Sequence, residues 1–371
     1  MVNIARRNLF QEKLRFIISI GGVALAIMLI LILNGFSAGL PRQINAYLDN
    51  GPGDLVVAQK DLRNFLGANS IVPLSTVRDI EKIQGVKKVI PIFTSFAVLN
   101  LEGKRRFSLL YGFDPNKGGG PWRMVEGRSN INDDEVIFDK VLARRFHLEL
   151  GQKIKILGKE FTMVGFSGGT SSWMTGTFFI TFKAAAKQLQ APGGTAGFLL
   201  VSAAEKSKVD SLKKEVSRKA KNLSVLTRQE LAENDFQLFA RIFTGPVSFM
   251  VAIAFLIGVM LVGLTIYTAT VERAREYGVL KAIGTKNWKL YLIVFQQALI
   301  SSIFGFLFGI PLAFAAIWVI ESFAPQFFIL IEWSYIAQVS VIALTIAILA
   351  AYIPIRTIAR IDPAIAFRRG A

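Results

Sequence analysis

Four stretches of this 371-residue chain contain no Asp, Glu, Lys or Arg: residues 16–33, 247–270, 292–320 and 335–355. Each matches or exceeds the roughly 18 residues that cross a hydrocarbon core about 30 Å thick at about 1.5 Å of rise per residue. A chain built this way is expected to fold as an α-helical membrane protein with four transmembrane helices, at 16–33, 247–270, 291–320 and 335–355. The 213 residues between the first two spans are soluble in character and form a large α+β extracytoplasmic domain inserted between helices 1 and 2, at 34–246.

Lys and Arg in short flanks stay cytoplasmic because moving them across the bilayer is unfavourable. Arg6, Arg7, Lys13 and Arg15 precede the first span; Arg273, Arg275, Lys281, Lys286 and Lys289 lie between the second and third; Arg356, Arg360, Arg368 and Arg369 follow the fourth. The loop at 321–334 has no basic residue. Segments 1–15, 271–290 and 356–371 are therefore expected in the cytoplasm, with 34–246 and 321–334 outside. A cleaved leader ending near Ser37-Ala38-Gly39 is the competing reading, but the apolar run exceeds the roughly 7–15 residues of a leader core.

The formal charge of +17 raises nucleic acid as a partner, and its distribution argues against that. The external segment alone holds thirty basic and twenty acidic residues. Such a surplus fits a solvated surface or acidic lipid headgroups. With no Cys and only His147, a zinc site of ordinary composition is excluded, as is a disulfide framework. Asp133-Asp134-Glu135 reads as a solvated turn before a strand, with cation binding as the sharper alternative. No Gly-x-x-x-x-Gly-Lys-Ser/Thr loop is present, so this chain is not expected to bind a nucleotide or to be an enzyme.

In the external domain, Asp54 to Ala58 reads as a strand, Ser75 to Ile83 as a helix opened by a Ser cap and stopped near Gly85, and Val86 to Phe93 as a strand. Phe198 to Ser202, Lys208 to Lys221 and Ser224 to Thr227 repeat that order. Two βαβ halves of one subdomain result, with a β-rich second subdomain inserted at about 105–182 that contains a hairpin turning at Gly158-Lys159. Gly118-Gly-Gly120 and residues 168–172 read as flexible loops, and Trp173 and Met174 beside the second are candidate contacts for cargo or a partner. Residues 229–246 form a stalk, with a bend expected at Gly245-Pro246.

Within the spans, Gln296, Gln297, Ser301, Ser302, Thr265 and Thr268 suit hydrogen bonds between helices, and the absence of charge at depth argues against ion-coupled transport. Gly305 and Gly309 allow close packing against another helix, or mark a kink before Pro311. Residues 271–284 are expected to continue the second span as one helix ending at Gly284. On it Ala274, Gly278 and Ala282 form a bare side, Leu280 and Ile283 an apolar knob, and Glu272 and Glu276 an i, i+4 pair followed by Lys281.

Glu272-Arg-Ala-Arg-Glu-Tyr-Gly-Val-Leu-Lys-Ala-Ile-Gly284 closely resembles the signature Glu-Arg-x-x-Glu-(Ile/Tyr)-Gly-(Val/Ile)-Leu-(Arg/Lys)-Ala-(Ile/Leu)-Gly of FtsX-like permeases, the MacB-type ABC transporter subunits. The order of spans and Ile361-Asp362-Pro363-Ala364 near the C-terminus resemble the same family, with Phe367 as a local departure. The resemblance implies a bacterial cytoplasmic (inner) membrane subunit of an ABC transporter. ATP and Mg would bind a separate ABC ATPase subunit, with no cofactor on this chain. It further implies a second permease chain in a homodimer or heterodimer, a periplasmic adaptor as an additional partner, and contact with membrane lipid. Glu272, Arg273, Arg275, Glu276, Gly278, Leu280, Lys281, Ile283 and Gly284 would couple hydrolysis to motion of the external domain, in export or extraction by mechanotransmission. A non-transporting regulator of cell-wall enzymes, and a membrane-anchored sensor with no ATPase, are the competing functions.

Overall fold

The computed structural model describes residues 13–101, 103–171, 176–323 and 327–360. Helix α1 (Lys13–Ile44) and the short α2 (Ala46–Asn50) lead to β1 (Leu55–Gln59), β2 (Val72–Pro73), α3 (Ser75–Glu81), β3 (Val86–Leu101) and β4 (Lys104–Phe113). Next come β5 (Met124–Gly127), β6 (Glu135–Asp139), α4 (Lys140–Arg145), β7 (Lys153–Ile156), β8 (Lys159–Ser167), β9 (Gly176–Thr181) and α5 (Phe182–Gln188). Strands β10 (Thr195–Ala196) and β11 (Phe198–Ala203), α6 (Val209–Lys219) and β12 (Leu223–Thr227) follow. The chain then runs through α7 (Arg228–Glu272), α8 (Ala274–Ala282), α9 (Asn287–Phe323) and α10 (Trp333–Ala359). These elements divide into two compact units, one within Met1–Ala38, Phe243–Phe323 and Ile329–Ala371, the other within Gly39–Ile242 and Ala324–Phe328.

In the helical unit, α1, α7, α9 and α10 are each long and apolar enough to cross a membrane. Val23, Ile27 and Ile30 of α1 pack with Val262 and Ile266 of α7, Val294 and Ala298 of α9, and Ile346 and Ala347 of α10. Gly305 and Gly309 of α9 make the approach of α1 close: a Cβ at Gly305 would lie 2.4 Å from Val23 Cβ, and one at Gly309 would lie 3.0 Å from the Ala24 carbonyl oxygen. Thr265 and Thr268 do not bridge helices as the sequence suggests. Their hydroxyls donate to Leu261 and Leu264, one turn back on α7, the usual outlet for a helical Thr. Helix α7 includes Gly245-Pro246, where Pro246 has no N–H to give the backbone ladder.

The second unit is built on a ten-stranded mixed sheet of order β12-β1-β11-β3-β4-β9-β6-β8-β5, with β7 added beside β8. Its central feature is β3, whose first half pairs with β11 and whose second half, from Phe93, pairs with β4. Leu55, Val57, Leu199 and Val201 meet Ile80 of α3 and Leu212 and Val216 of α6 in one core. Phe138, Phe161, Phe178 and Ile180 meet Ala143 of α4 and Ala185 of α5 in another. The division expected near 105–182 is thus a change of core within an unbroken sheet, because β3 belongs to both.

Three local expectations are corrected. Leu74, not a serine, occupies the cap position of α3, and its N–H donates to the Gly194 carbonyl, leaving Ser75 inside the first turn. The β7–β8 turn falls on Leu157-Gly158, with φ of 47° and 90°, because a two-residue hairpin of this kind needs positive φ at both central positions. The two glycine-rich loops are tethered: the Gly119 carbonyl accepts from the Tyr47 hydroxyl at 2.7 Å, and buried Thr170 donates to Asp139 at 2.9 Å.

Candidate functional site

Residues 274–284 do not continue α7, which ends at Glu272. The helix breaks at Arg273, with φ −96° and ψ 15°, and restarts as α8. Its far end is a Schellman closure, in which Thr285 N–H donates to the Leu280 carbonyl and Gly284 N–H to that of Lys281. Gly284 has φ 87°, the conformation this closure needs and glycine adopts without strain.

The candidate residues separate into two sets by direction. Facing inward, Tyr277 is 4% exposed within the helical core, and burial pushes its hydroxyl up to about 12. Gly278 is buried beside it, and Leu280 and Ala274 pack against the same core. Lys281 Nζ donates to the Ile358 carbonyl at 2.7 Å and to that of Ala359 at 3.2 Å, satisfying acceptors that the end of α10 leaves open. Facing outward, Arg275, Glu276, Val279 and Ala282 are exposed, and so is Ile283 at 73%. Trp288, at the start of α9, extends this surface at 57% exposure.

The expected bare stripe of Ala274, Gly278 and Ala282 is therefore not one buried face. Each four-residue step overshoots a 3.6-residue turn by about 40°, so Ala282 has rotated out where Gly278 is covered. The apolar knob is Val279 with Ile283, while Leu280 belongs to the interior. Glu272 and Glu276 do not pair along one helix either, since the break at Arg273 lies between them. Glu276 sits 4.0 Å from Arg273. Both carboxylate oxygens of Glu272 accept from the guanidinium of Arg15 at the start of α1, and these bonds hold its carboxyl below the usual range.

Behind this segment lies a cavity of about 30 Å³ lined by Arg15, Ser19, Thr265, Arg273, Gln297 and Ser301, among others. Among the described residues, the buried hydroxyls of Ser19 and Ser301 have no protein partner. Its walls are mostly apolar, with these polar groups set among Phe16, Ile266 and Ala269.

In the second unit, Asp133 accepts from the Thr181 hydroxyl at 2.6 Å and pairs with Lys183, and Glu135 pairs with Arg128. These acids brace a turn. No cluster of three or more metal-ligating side chains occurs among the described residues. Asp139 caps α4 through Val141 N–H and Leu142 N–H and also accepts from Thr170 and Ser171, so burial that would otherwise raise its carboxyl strongly is partly offset. Trp173 and Met174, and the segment from Ile361 onward, lie outside the described residues. Arg15 and Trp288 join the site without having been marked by any motif, and Val279 lies within the signature but was not singled out; in the sequence Arg15 reads only as an indicator of orientation.

Residues 248–363 match the FtsX-like permease C-terminal region, and residues 16–219 match the MacB-like periplasmic core domain. An uncharacterized ABC transporter permease of Methanocaldococcus jannaschii is 20% identical over 98% of this chain and 96% of its own length. Another from Mycobacterium tuberculosis is 23% identical over 99% of both. A Staphylococcus haemolyticus protein named for a hemin transport system permease is 21% identical over 98% of both. Among solved structures, the periplasmic region of MacB from Actinobacillus actinomycetemcomitans aligns with 50% of this chain and 94% of its own at 14% identity and a TM-score of 0.37.

Proposed function

This chain belongs to the ABC transporter permeases that join a MacB-like periplasmic core domain to an FtsX-like C-terminal region, and from that premise we propose that it is the force-transmitting membrane subunit of an ATP-driven exporter or extractor. Hydrolysis takes place on a separate ABC ATPase in the cytoplasm. The chain's termini and α8 face that side, and the sheet-based unit lies outside. A second permease chain completes the membrane assembly, with an adaptor on the outer side as a further partner.

The observation that carries this reading is the two-sided character of α8. Its outer surface combines Val279 and Ile283 with Arg275 and Glu276, an exposed apolar centre between charges that suits a protein partner. Its inner surface is fastened to the helical unit by Tyr277 and Lys281. A load applied to the outer surface therefore reaches the bundle.

The test is recovery of an ATPase subunit with the tagged chain from its native host in mild detergent. Wild type is expected to bring one down. Ile283→Asp, which places a charge at the centre of the exposed apolar surface, is expected to lower that recovery about tenfold or more, while Asn116→Asp on the other unit leaves it unchanged. Absence of any ATPase with wild type, or full recovery with Ile283→Asp, refutes the proposal.

A further inference from the structure

Because α7 and α8 are separate helices joined at Arg273, displacement of α8 is not passed along α7 as through a rigid rod. The non-covalent attachments of this region lead elsewhere. Arg15 grips Glu272 with two guanidinium nitrogens across 257 residues of sequence. Arg15 stands in the first turn of α1, which then runs as one helix to Ile44. At the other end of α8, Lys281 is seated on the final carbonyls of α10. On the Arg15 side, the hydroxyls of Ser19 and Ser301, which have no protein partner among the described residues, line a small, mostly apolar cavity that Arg273 also borders. Incomplete packing there leaves the joint room to turn that a filled apolar core would deny.

We infer that Arg15 and Lys281 are positioning residues that divide the motion of α8 between two helices: Arg15, through Glu272, draws on α1, and Lys281 draws on α10. This rests on the proposed role of α8 as the surface an ATPase moves. It adds a route, and it names Arg15, which lies far in sequence from the segment that motif reading selects. The Arg15–Glu272 pair is well exposed, with side-chain accessibilities of 37% and 52%. Exposed pairs contribute little to stability, so loss of the link should change coupling while leaving the fold in place.

The chain has no cysteine, so Asn116→Cys, exposed in the sheet-based unit, gives it a single thiol, whose labelling is read on this chain after separation from the ATPase. The permease–ATPase complex is reconstituted in lipid, and thiol labelling is followed with and without ATP. In the otherwise wild-type chain, ATP is expected to change the labelling rate. Arg15→Gln should retain ATPase recovery within about twofold and a near-unchanged melting temperature, while reducing the ATP-dependent change about fivefold or more. Arg15→Lys should keep a partial response, and the exchange Arg15→Glu with Glu272→Arg should restore most of it. Lys281→Met should lower the response independently of Arg15, so that the double variant is worse than either single.

An undiminished response in Arg15→Gln overturns the inference. So does a loss of fold or of ATPase recovery in that variant, which would make Arg15 a structural clamp, and so does failure of the charge exchange to rescue. A wild-type complex that lacks the ATPase refutes the underlying function instead, which separates the two failures.

Discussion

Replacing Gly305 by Ala adds one methyl group where α1 and α9 meet. Its Cβ would lie 2.4 Å from Val23 Cβ, 2.5 Å from Val23 Cγ1 and 3.3 Å from the Ala24 nitrogen. Carbon atoms rest at about 3.5–4.0 Å, so the shortfall exceeds about 1 Å. Val23 is fully buried and β-branched, which leaves it essentially one rotamer in a helix, so it cannot turn aside. Overpacking of this kind costs about 1–3 kcal/mol, and the gain of about 1 kcal/mol from Gly to Ala in a helix offsets part of it. A net loss of up to about 2 kcal/mol is expected in SDS-driven unfolding from mixed micelles, followed by far-ultraviolet circular dichroism. Gly21→Ala is the control, because no atom lies within 4 Å of the place its new methyl would occupy and the helix gain acts alone. Val23→Gly combined with Gly305→Ala should lose less than the two single changes together, by about 1 kcal/mol or more. If Gly305→Ala proves as stable as Gly21→Ala, the close approach of α1 and α9 is wrong.

Two further outcomes concern the sheet-based unit. Asp235, buried near the start of α7, accepts from Phe65 N–H at 2.9 Å, Leu66 N–H at 3.0 Å and Asn64 Nδ2 at 3.2 Å, and desolvation raises its carboxyl to about 6 despite these bonds. A raised native value means that the folded chain binds this proton more tightly than the unfolded one. Falling pH should therefore stabilise wild type relative to Asp235→Asn between about pH 6 and pH 4, by at most about 3 kcal/mol in all, with no further change below; urea titrations across pH check this, and a relative loss of stability on acidification refutes it. Asp139→Ala should cost about 2–4 kcal/mol, since it removes a helix cap and leaves the buried Leu142 N–H without its acceptor, while Thr170 keeps the Ser167 hydroxyl as a partner. Faster amide exchange at Leu142 and across 168–171 is the expected signature.

The helical unit was legible because uncharged stretches of this length leave few alternatives. In the other unit, α6 was legible from Leu212 and Val216 four residues apart, and β1 and β11 from their apolar runs. Continuity of the sheet was not, because nothing in Ile92-Phe93 announces that the strand changes partner there. At residues 271–284 the sequence suggested one continuous helix, whereas the chain leaves helical geometry at Arg273. Arginine is a good helix former, so the break at Arg273 leaves no compositional mark. The partnership of Arg15 with Glu272 is likewise invisible to any local pattern, since only folding brings those positions together.

Strand β3 also sets where this unit tolerates change in length. From Ser95 onward it alternates strictly, with Ala97, Leu99 and Leu101 buried and Phe96, Val98 and Asn100 exposed. One residue inserted after Ile92 would send each of these side chains to the opposite face, exchanging a packed row for one that includes Asn100, while α3 and α6 kept their own core intact. The same residue added at the Gly103 turn would be absorbed by a loop whose glycine has open space around it. Relatives of this chain should therefore vary in length at the ends of β3 and hold its interior constant to the residue.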